Sequence, residues 1–245
     1  MENQTRSDLK INGTGNTAGG KYNEVTVNGV GEINGDIECE SFKTNGASTL
    51  NGNLTSKSLK VNGTSVIKGD IKTEEIKVNG SADIKGNIES KNSKVHGEVK
   101  ITGNLNSDLL ELHGGMEVKG NCNAETFNSS GGFTVAGLLN ADNINIKLHG
   151  PCSAKEIGCE KITVKLGNDY AIKKIIRSIF RSWDMTGKLS ADVIEADNIE
   201  LEQTKAKIVR GNNVIIGEGC EIDLVEYKNN YQKTDHSTVK ENKKI

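Results

Sequence analysis

Five cysteines and four histidines are the side chains in this 245-residue sequence whose chemistry could build a metal or redox centre. Cys152 and Cys159 are too far apart for a Cys-x-x-Cys pair, and Cys39 and Cys122 fall in otherwise apolar columns, where a thiol is a small core residue. His96 and His113 occupy equivalent positions of a repeat and could in principle share a metal. No cysteine or carboxylate cluster completes a shell around them, so they read as substitutes for asparagine at a corner. The serines and aspartates form no triad at an interpretable spacing. The expectation is therefore a protein with no catalytic residue, no cofactor and no metal. An odd number of cysteines at irregular spacing suits reduced thiols, and with a polar start, MENQTRSDLK, it leads to an expected cytoplasmic location.

Two basic features could contact a surface. Lys43, Lys60, Lys77 and Lys94 recur at one position of the repeat, either as a stripe for anionic lipid or another polymer's acidic face, or as solvated lysines that splay apart. The second reading is favoured, because the formal net charge is -2 and no aromatic residues interleave as a nucleic-acid groove would need. In 169–184, apolar Ile172, Ile175, Ile176, Ile179, Phe180 and Trp183 face Lys173, Lys174, Arg177 and Arg181 at helical spacing. This predicts one amphipathic helix that packs on its own strands or touches a membrane surface or partner, with packing preferred.

The elements that position these groups follow from the repeat. From Val25 to Ala141 two glycine columns recur every 17 residues, Gly29 through Gly131 and Gly35 through Gly137. Between them run aliphatic columns such as Ile33, Leu50, Ile67, Ile84, Ile101, Val118, Val135 and Ile37, Leu54, Ile71, Ile88, Leu105, Cys122, Leu139. A fixed short period with alternating apolar positions marks a solenoid of strands, each with one buried face. Only 34% of residues are apolar, too few for a conventional globular core but enough for a core that grows along one axis. The expected fold is all-β: a parallel β-helix, right-handed and triangular, with about 17 residues per coil and one inserted α-helix.

Glycine is expected at the corners because they need positive φ, and the Asn28, Asn45, Asn62, Asn79 column is expected to stack as an amide ladder. The column Glu40, Lys57, Glu74, Lys91, Asp108 alternates in sign, which favours parallel stacking over a series of hairpins. The expected organisation is a flexible segment and cap over 1–20, a β-helix over 21–167 and the inserted helix over 168–187. Further rungs follow over 188–228, and then a disordered polar tail over 229–245.

The run Val27-Asn28-Gly29-Val30-Gly31-Glu32-Ile33-Asn34-Gly35-Asp36-Ile37, repeated from Val61-Asn62-Gly63 through Lys68-Gly69-Asp70-Ile71, resembles the rungs of bactofilins of the long Gram-positive type. The resemblance covers roughly residues 21 to 228. It implies a right-handed β-helix that polymerises head to head and tail to tail into nonpolar filaments without nucleotide. It also implies scaffolding in cell shape, envelope organisation or motility. Implied partners are further copies, a paralogous bactofilin and the inner face of the cytoplasmic membrane, with the inserted helix as candidate contact.

The exposed strand edges at the ends of a β-helix call for a cap or another copy. Tyr22, Val25 and Val27 are the candidates at one end, and Ile222, Leu224 and Tyr227 at the other. Rival readings are a β-helix polysaccharide-active enzyme, a hexapeptide-type acyltransferase, hinted at by Ile216-Gly217-Glu218-Gly219-Cys220, and a solenoid adhesin.

Overall fold

The computed structural model describes residues 6–167 and 187–245. Among them every regular element is a β-strand, and every recorded pairing is parallel. The chain divides into two compact units, one of 1–109 with 115–118 and one of 110–114 with 119–245. Each is a parallel β-solenoid. The predicted helix of 168–187 falls, but for Gly187, outside the described residues.

In the first unit the strand Val30–Thr44 shows how one coil is laid on the next. It pairs with Thr14–Lys21 and Glu24–Val27 on one side and with Ala47–Asn51 and Leu54–Val61 on the other. Its partners lie one period away, Ile33 on Leu50, Ile37 on Leu54 and Phe42 on Leu59, so the 17-residue period is the length of one coil. A coil has three short inward-facing sides, such as Leu54 and Ser56, Leu59 and Val61, then Ser65 and Ile67. Alternation sends every second side chain to the core, and like residues then meet at the strand spacing of about 4.8 Å. Ile33, Phe42, Leu50, Leu54 and Val61 are fully buried. Each such aliphatic or aromatic side chain contributes about 1.5–3 kcal/mol of transfer free energy.

One inward column is polar, which the aliphatic pattern alone did not show. Ser56 Oγ donates to Thr73 Oγ1 at 3.0 Å, and Ser90 Oγ donates to Ser107 Oγ at 3.0 Å. On another side Ser48 Oγ bonds Thr44 Oγ1 at 2.8 Å and Ser65 Oγ at 2.9 Å. Buried hydroxyls are tolerated here because each finds a partner in its own or the adjacent coil.

The reason for the corner glycines differs from the expected one. Of the column glycines only Gly35, at φ 112°, lies in the left-handed region. What glycine permits is close stacking: a Cβ on Gly46, Gly63, Gly80 or Gly97 would run into the carbonyl oxygen of the column glycine one coil earlier. The asparagine beside it then forms the expected ladder. Asn28, Asn45, Asn62 and Asn79 each donate Nδ2–H to the previous asparagine's Oδ1 at 2.7–2.8 Å, beginning on Asn12.

The second unit keeps the stacking and changes the period. Cys122–Ser129 lies on Gly132–Leu148 at the regular offset, with Phe127 on Ile144. Before Pro151 the chain inserts extra residues, and the pairing of Gly132–Leu148 with Cys152–Leu166 shifts register between Val135 and Leu138. Leu189–Leu201 then pairs with Thr204–Ile216 at a 15-residue step, Ile194 on Val209 and Ile199 on Val214. The core is retained: Ile157, Ile162, Ile194, Val209 and Val214 are buried, and Phe127 meets Phe133 edge to face at 5.2 Å.

Two boundaries differ from expectation. Within 1–20, Leu9–Ile11 and Thr14–Lys21 are strands paired with the following coil. Within 229–245, the strand Glu221–Lys233 continues past Tyr227, and Thr238–Lys244 pairs along it. Both stretches are polar or glycine-rich and bury little, so hydropathy reads them as disordered. A parallel neighbour satisfies their backbone groups without requiring apolar side chains.

Candidate functional site

The features with functional potential are the outer edges of the solenoids and the rows of outward side chains that stacking creates. At the start of the first unit, Leu9–Ile11 lies on Glu24–Val27, Leu9 on Val25 and Ile11 on Val27. Val25 and Val27 are consequently fully buried, one coil inside the edge. Tyr22 is half-buried and belongs to the first coil. Its hydroxyl donates to the Ala18 carbonyl at 3.4 Å, and its ring covers the space above Gly20, whose added Cβ would touch it at 3.4 Å. Arg6 and Lys21 both pair with Glu38 and fasten the first coil to the second. The two cations, Lys21 foremost, hold the Glu38 carboxyl below its ordinary value.

In the second unit, Ile222, Leu224 and Tyr227 likewise lie one coil inside. Thr238–Lys244 covers them, with Val239 on Ile222, Glu241 on Leu224 and Lys244 on Tyr227. Here the core columns end in polar residues: Val225 is followed by Asn242, Tyr227 by Lys244 and Ile216 by Lys233. Tyr227 stacks on Tyr231 with ring centroids 5.3 Å apart. Polar and cationic side chains on a last strand discourage indiscriminate edge pairing. Glu221 is held below its ordinary value by Lys188, at 2.6 Å, and by Lys205. Of the six candidate interface residues, then, the structure places Tyr22 on an outermost coil and the other five beneath one. Among the described residues, no strand pairs with the outer side of Leu9–Ile11, Thr14–Lys21 or Thr238–Lys244.

The outward rows differ in whether their charges alternate in sign. Glu40 pairs with Lys57, Glu74 with Lys91 at 3.4 Å and Lys72 with Glu89 at 2.9 Å, so the sign-alternating rows meet as expected. Lys43, Lys60, Lys77 and Lys94 stack in register without alternation. A further row escaped the sequence reading, although its signal, Asp or Asn after each second-column glycine from Gly35 to Gly120, was present. Asp36, Asn53, Asp70 and Asn87 each accept the backbone N–H of the equivalent residue one coil later at 2.6–2.9 Å.

The reactive groups are held quiet. Burial pushes the thiols of Cys39, Cys122, Cys152 and Cys159 up to about 12, so they are protonated near neutral pH. His113 bonds Ser130 Oγ at 2.8 Å at a corner of the second unit. Among the described residues, no group of three or more His, Cys, Asp or Glu is arranged to hold a metal ion, and no helix is long and apolar enough to cross a membrane. The residues 172–183, the candidate membrane or partner contact, lie outside the described residues.

Comparison with known proteins follows this geometry. Residues 2–89 match the family model of the bactofilins, described as polymer-forming cytoskeletal. Two uncharacterized proteins of Bacillus subtilis (strain 168) are similar. YhbF is 40% identical over 97 residues, which is 40% of this chain and 37% of that protein. YhbE is 38% identical over 96 residues, 39% of this chain and 38% of that protein. The chain thus spans less than two fifths of the length of the curated relatives it matches. No solved structure matches it.

Proposed function

We propose that the protein is a non-enzymatic scaffold that self-assembles end to end into filaments without nucleotide. The observation that carries this reading is the pair of uncovered strand edges, at Leu9–Ile11 with Thr14–Lys21 and at Thr238–Lys244, on solenoids of which one carries the match to a polymer-forming family. The contact between coils of one chain consists of parallel backbone hydrogen bonds, stacked like side chains and amide ladders. The same interactions serve between copies, and no phosphate chemistry is needed to drive them. The interface proposed here is the outermost coil at each end, with Tyr22 in it and Val25, Val27, Ile222, Leu224 and Tyr227 forming the layer beneath. A structural scaffold role is supported by the family match itself. Roles in cell shape, envelope organisation or motility, co-polymerisation with a paralogue, and membrane contact through 172–183 remain proposals of the same reading.

The test is a substitution at the edge that the monomer does not feel. Gly13 sits on the first coil, and nothing lies within 4 Å of a Cβ built there. Wild-type protein without nucleotide should sediment and give filaments by electron microscopy. Gly13→Arg should keep the same β-sheet circular dichroism and lose the filaments. Isolated rods from the wild type refute self-assembly, and normal filaments from folded Gly13→Arg refute this edge as the contact.

A further inference from the structure

We infer that the lysine row of the first unit is a binding track for a linear polyphosphate, a phosphate-backbone polyanion that carries no bases. Parallel register places Lys43 on Lys60, Lys60 on Lys77 and Lys77 on Lys94, one strand step apart each. Like charges at that spacing disfavour the folded state, and this solenoid elsewhere resolves such rows by alternating sign. Among the described residues, no carboxylate forms an ion pair with Lys43, Lys60 or Lys77. The chain therefore leaves the charge of these three lysines to be balanced from outside.

The shape narrows the occupant. The lysines form one wall of an open trough of about 530 Å³ that runs across the strands, floored in part by Leu59 and Ile76. Its other wall carries Ser41, Ser58 and Asn92, which supply hydroxyl and amide hydrogen-bond donors, and one opposing charge, Glu75. A single polymer chain can lie in this trough, whereas a planar bilayer meets only its rims. No large exposed apolar side chain flanks the row: among the described residues those are Val30, Leu166, Ile215 and Ile245. Membrane insertion therefore has no anchor here. The trough presents no aromatic ring either, so bases gain no stacking platform. Lysine is a common phosphate binder and acts as a point charge that can approach from any direction.

The experiment is a titration of the full chain with fluorescently labelled long-chain inorganic polyphosphate, followed by anisotropy at several salt concentrations. Wild type should bind. Lys60→Gln with Lys77→Gln should weaken binding about 25-fold, at about fivefold per lysine, and flatten the salt dependence. Lys57→Gln, which removes a lysine outside the trough and already paired with Glu40, should bind within about twofold of wild type, well below the per-lysine effect in the row. Glu75→Gln should tighten binding. Because the double variant relieves repulsion, its melting temperature should not fall, which separates lost binding from lost folding. Unchanged affinity in the double variant overturns the inference, as does equal or tighter binding to polyglutamate, to single-stranded poly-dT or to phosphatidylglycerol vesicles.

Discussion

A methyl group added to Gly63 should be costly, while the same methyl on Gly13, in the same column, should cost nothing. On Gly63 the new carbon would lie 2.8 Å from the Asn45 carbonyl oxygen and closer still to that of Gly46, and both are backbone atoms with no rotamer to give way. The two coils must part at that corner. Three short hydrogen bonds hold them there, beside a long one from Gly63 N–H to Thr44 O at 3.4 Å: Asn62 N–H to Thr44 O at 2.8 Å, Thr64 N–H to Gly46 O at 2.9 Å, and Asn62 Nδ2–H to Asn45 Oδ1 at 2.7 Å. At about 1 kcal/mol each their loss comes to about 3 kcal/mol. The smaller conformational freedom of alanine in the unfolded chain returns about 0.5 kcal/mol. The net of about 2.5 kcal/mol falls within the range for overpacked sites and corresponds to a drop in Tm of about 5–10 °C for a chain of this size. Gly13 meets nothing and has no left-handed φ, so Gly13→Ala should stay within about 0.5 kcal/mol of wild type or gain slightly. Guanidinium denaturation of the two variants beside wild type measures both. Equal shifts would mean that the glycine column is set by something other than coil-to-coil contact.

Acid should loosen the outermost coils first. Glu38 and Glu221 are held below the ordinary carboxylate value of 4.5 by lysine and arginine partners, so the stability they contribute is present above that value and is lost as pH falls through their folded values. Hydrogen exchange below about pH 4.5 should therefore rise at Tyr22, whose N–H bonds the Glu38 carbonyl, before it rises at the buried strand Leu54–Val61; simultaneous loss would refute a local effect. Trp183 is the single tryptophan, so its emission reports on the segment 172–183 alone. A blue shift on adding anionic vesicles is the expected outcome if that segment is the membrane contact, and unchanged emission removes it from that role.

The period made the solenoid legible because parallel stacking turns one geometric requirement into identical residues at identical intervals. Ile33, Leu50 and Ile67 had to be inward because each sits on the last, and Asn28 through Asn79 had to be alike because an amide ladder needs both partners. What escaped was whatever the period does not encode. The strands at 14–21 and 238–244 gain their order from a neighbour's backbone, which leaves no hydropathy trace, whereas the apolar Leu9 and Ile11 do mark a first rung. The buried row of Ser56, Thr73, Ser90 and Ser107 looks outward by composition and is inward by register. Five of the six candidate interface residues, Val25, Val27, Ile222, Leu224 and Tyr227, lie one layer beneath the edge, because Leu9–Ile11 and Thr238–Lys244 each add a further coil over them.

That displacement shows where a solenoid can vary without unfolding. Along its length, register is fixed several times over: by glycine-to-carbonyl contact, by the asparagine ladder, by the Asp36-to-Asn87 side chains on the next coil's N–H groups, and by paired hydroxyls in the core. A slip of one residue would break all four and turn the apolar columns to solvent. Substitutions at these shared positions are felt by two coils at once. An outer edge has a coil on one side only, and an outward row has none, so the same change there costs little in the monomer. Gly13 and Lys60 are free to be selected for what they meet outside the chain. Gly63 and Val61, one corner apart, are held by what they meet inside it. Function in this fold is accordingly to be sought where the stacking constraint stops, at the first and last coils and along the row of like charges that stacking alone disfavours.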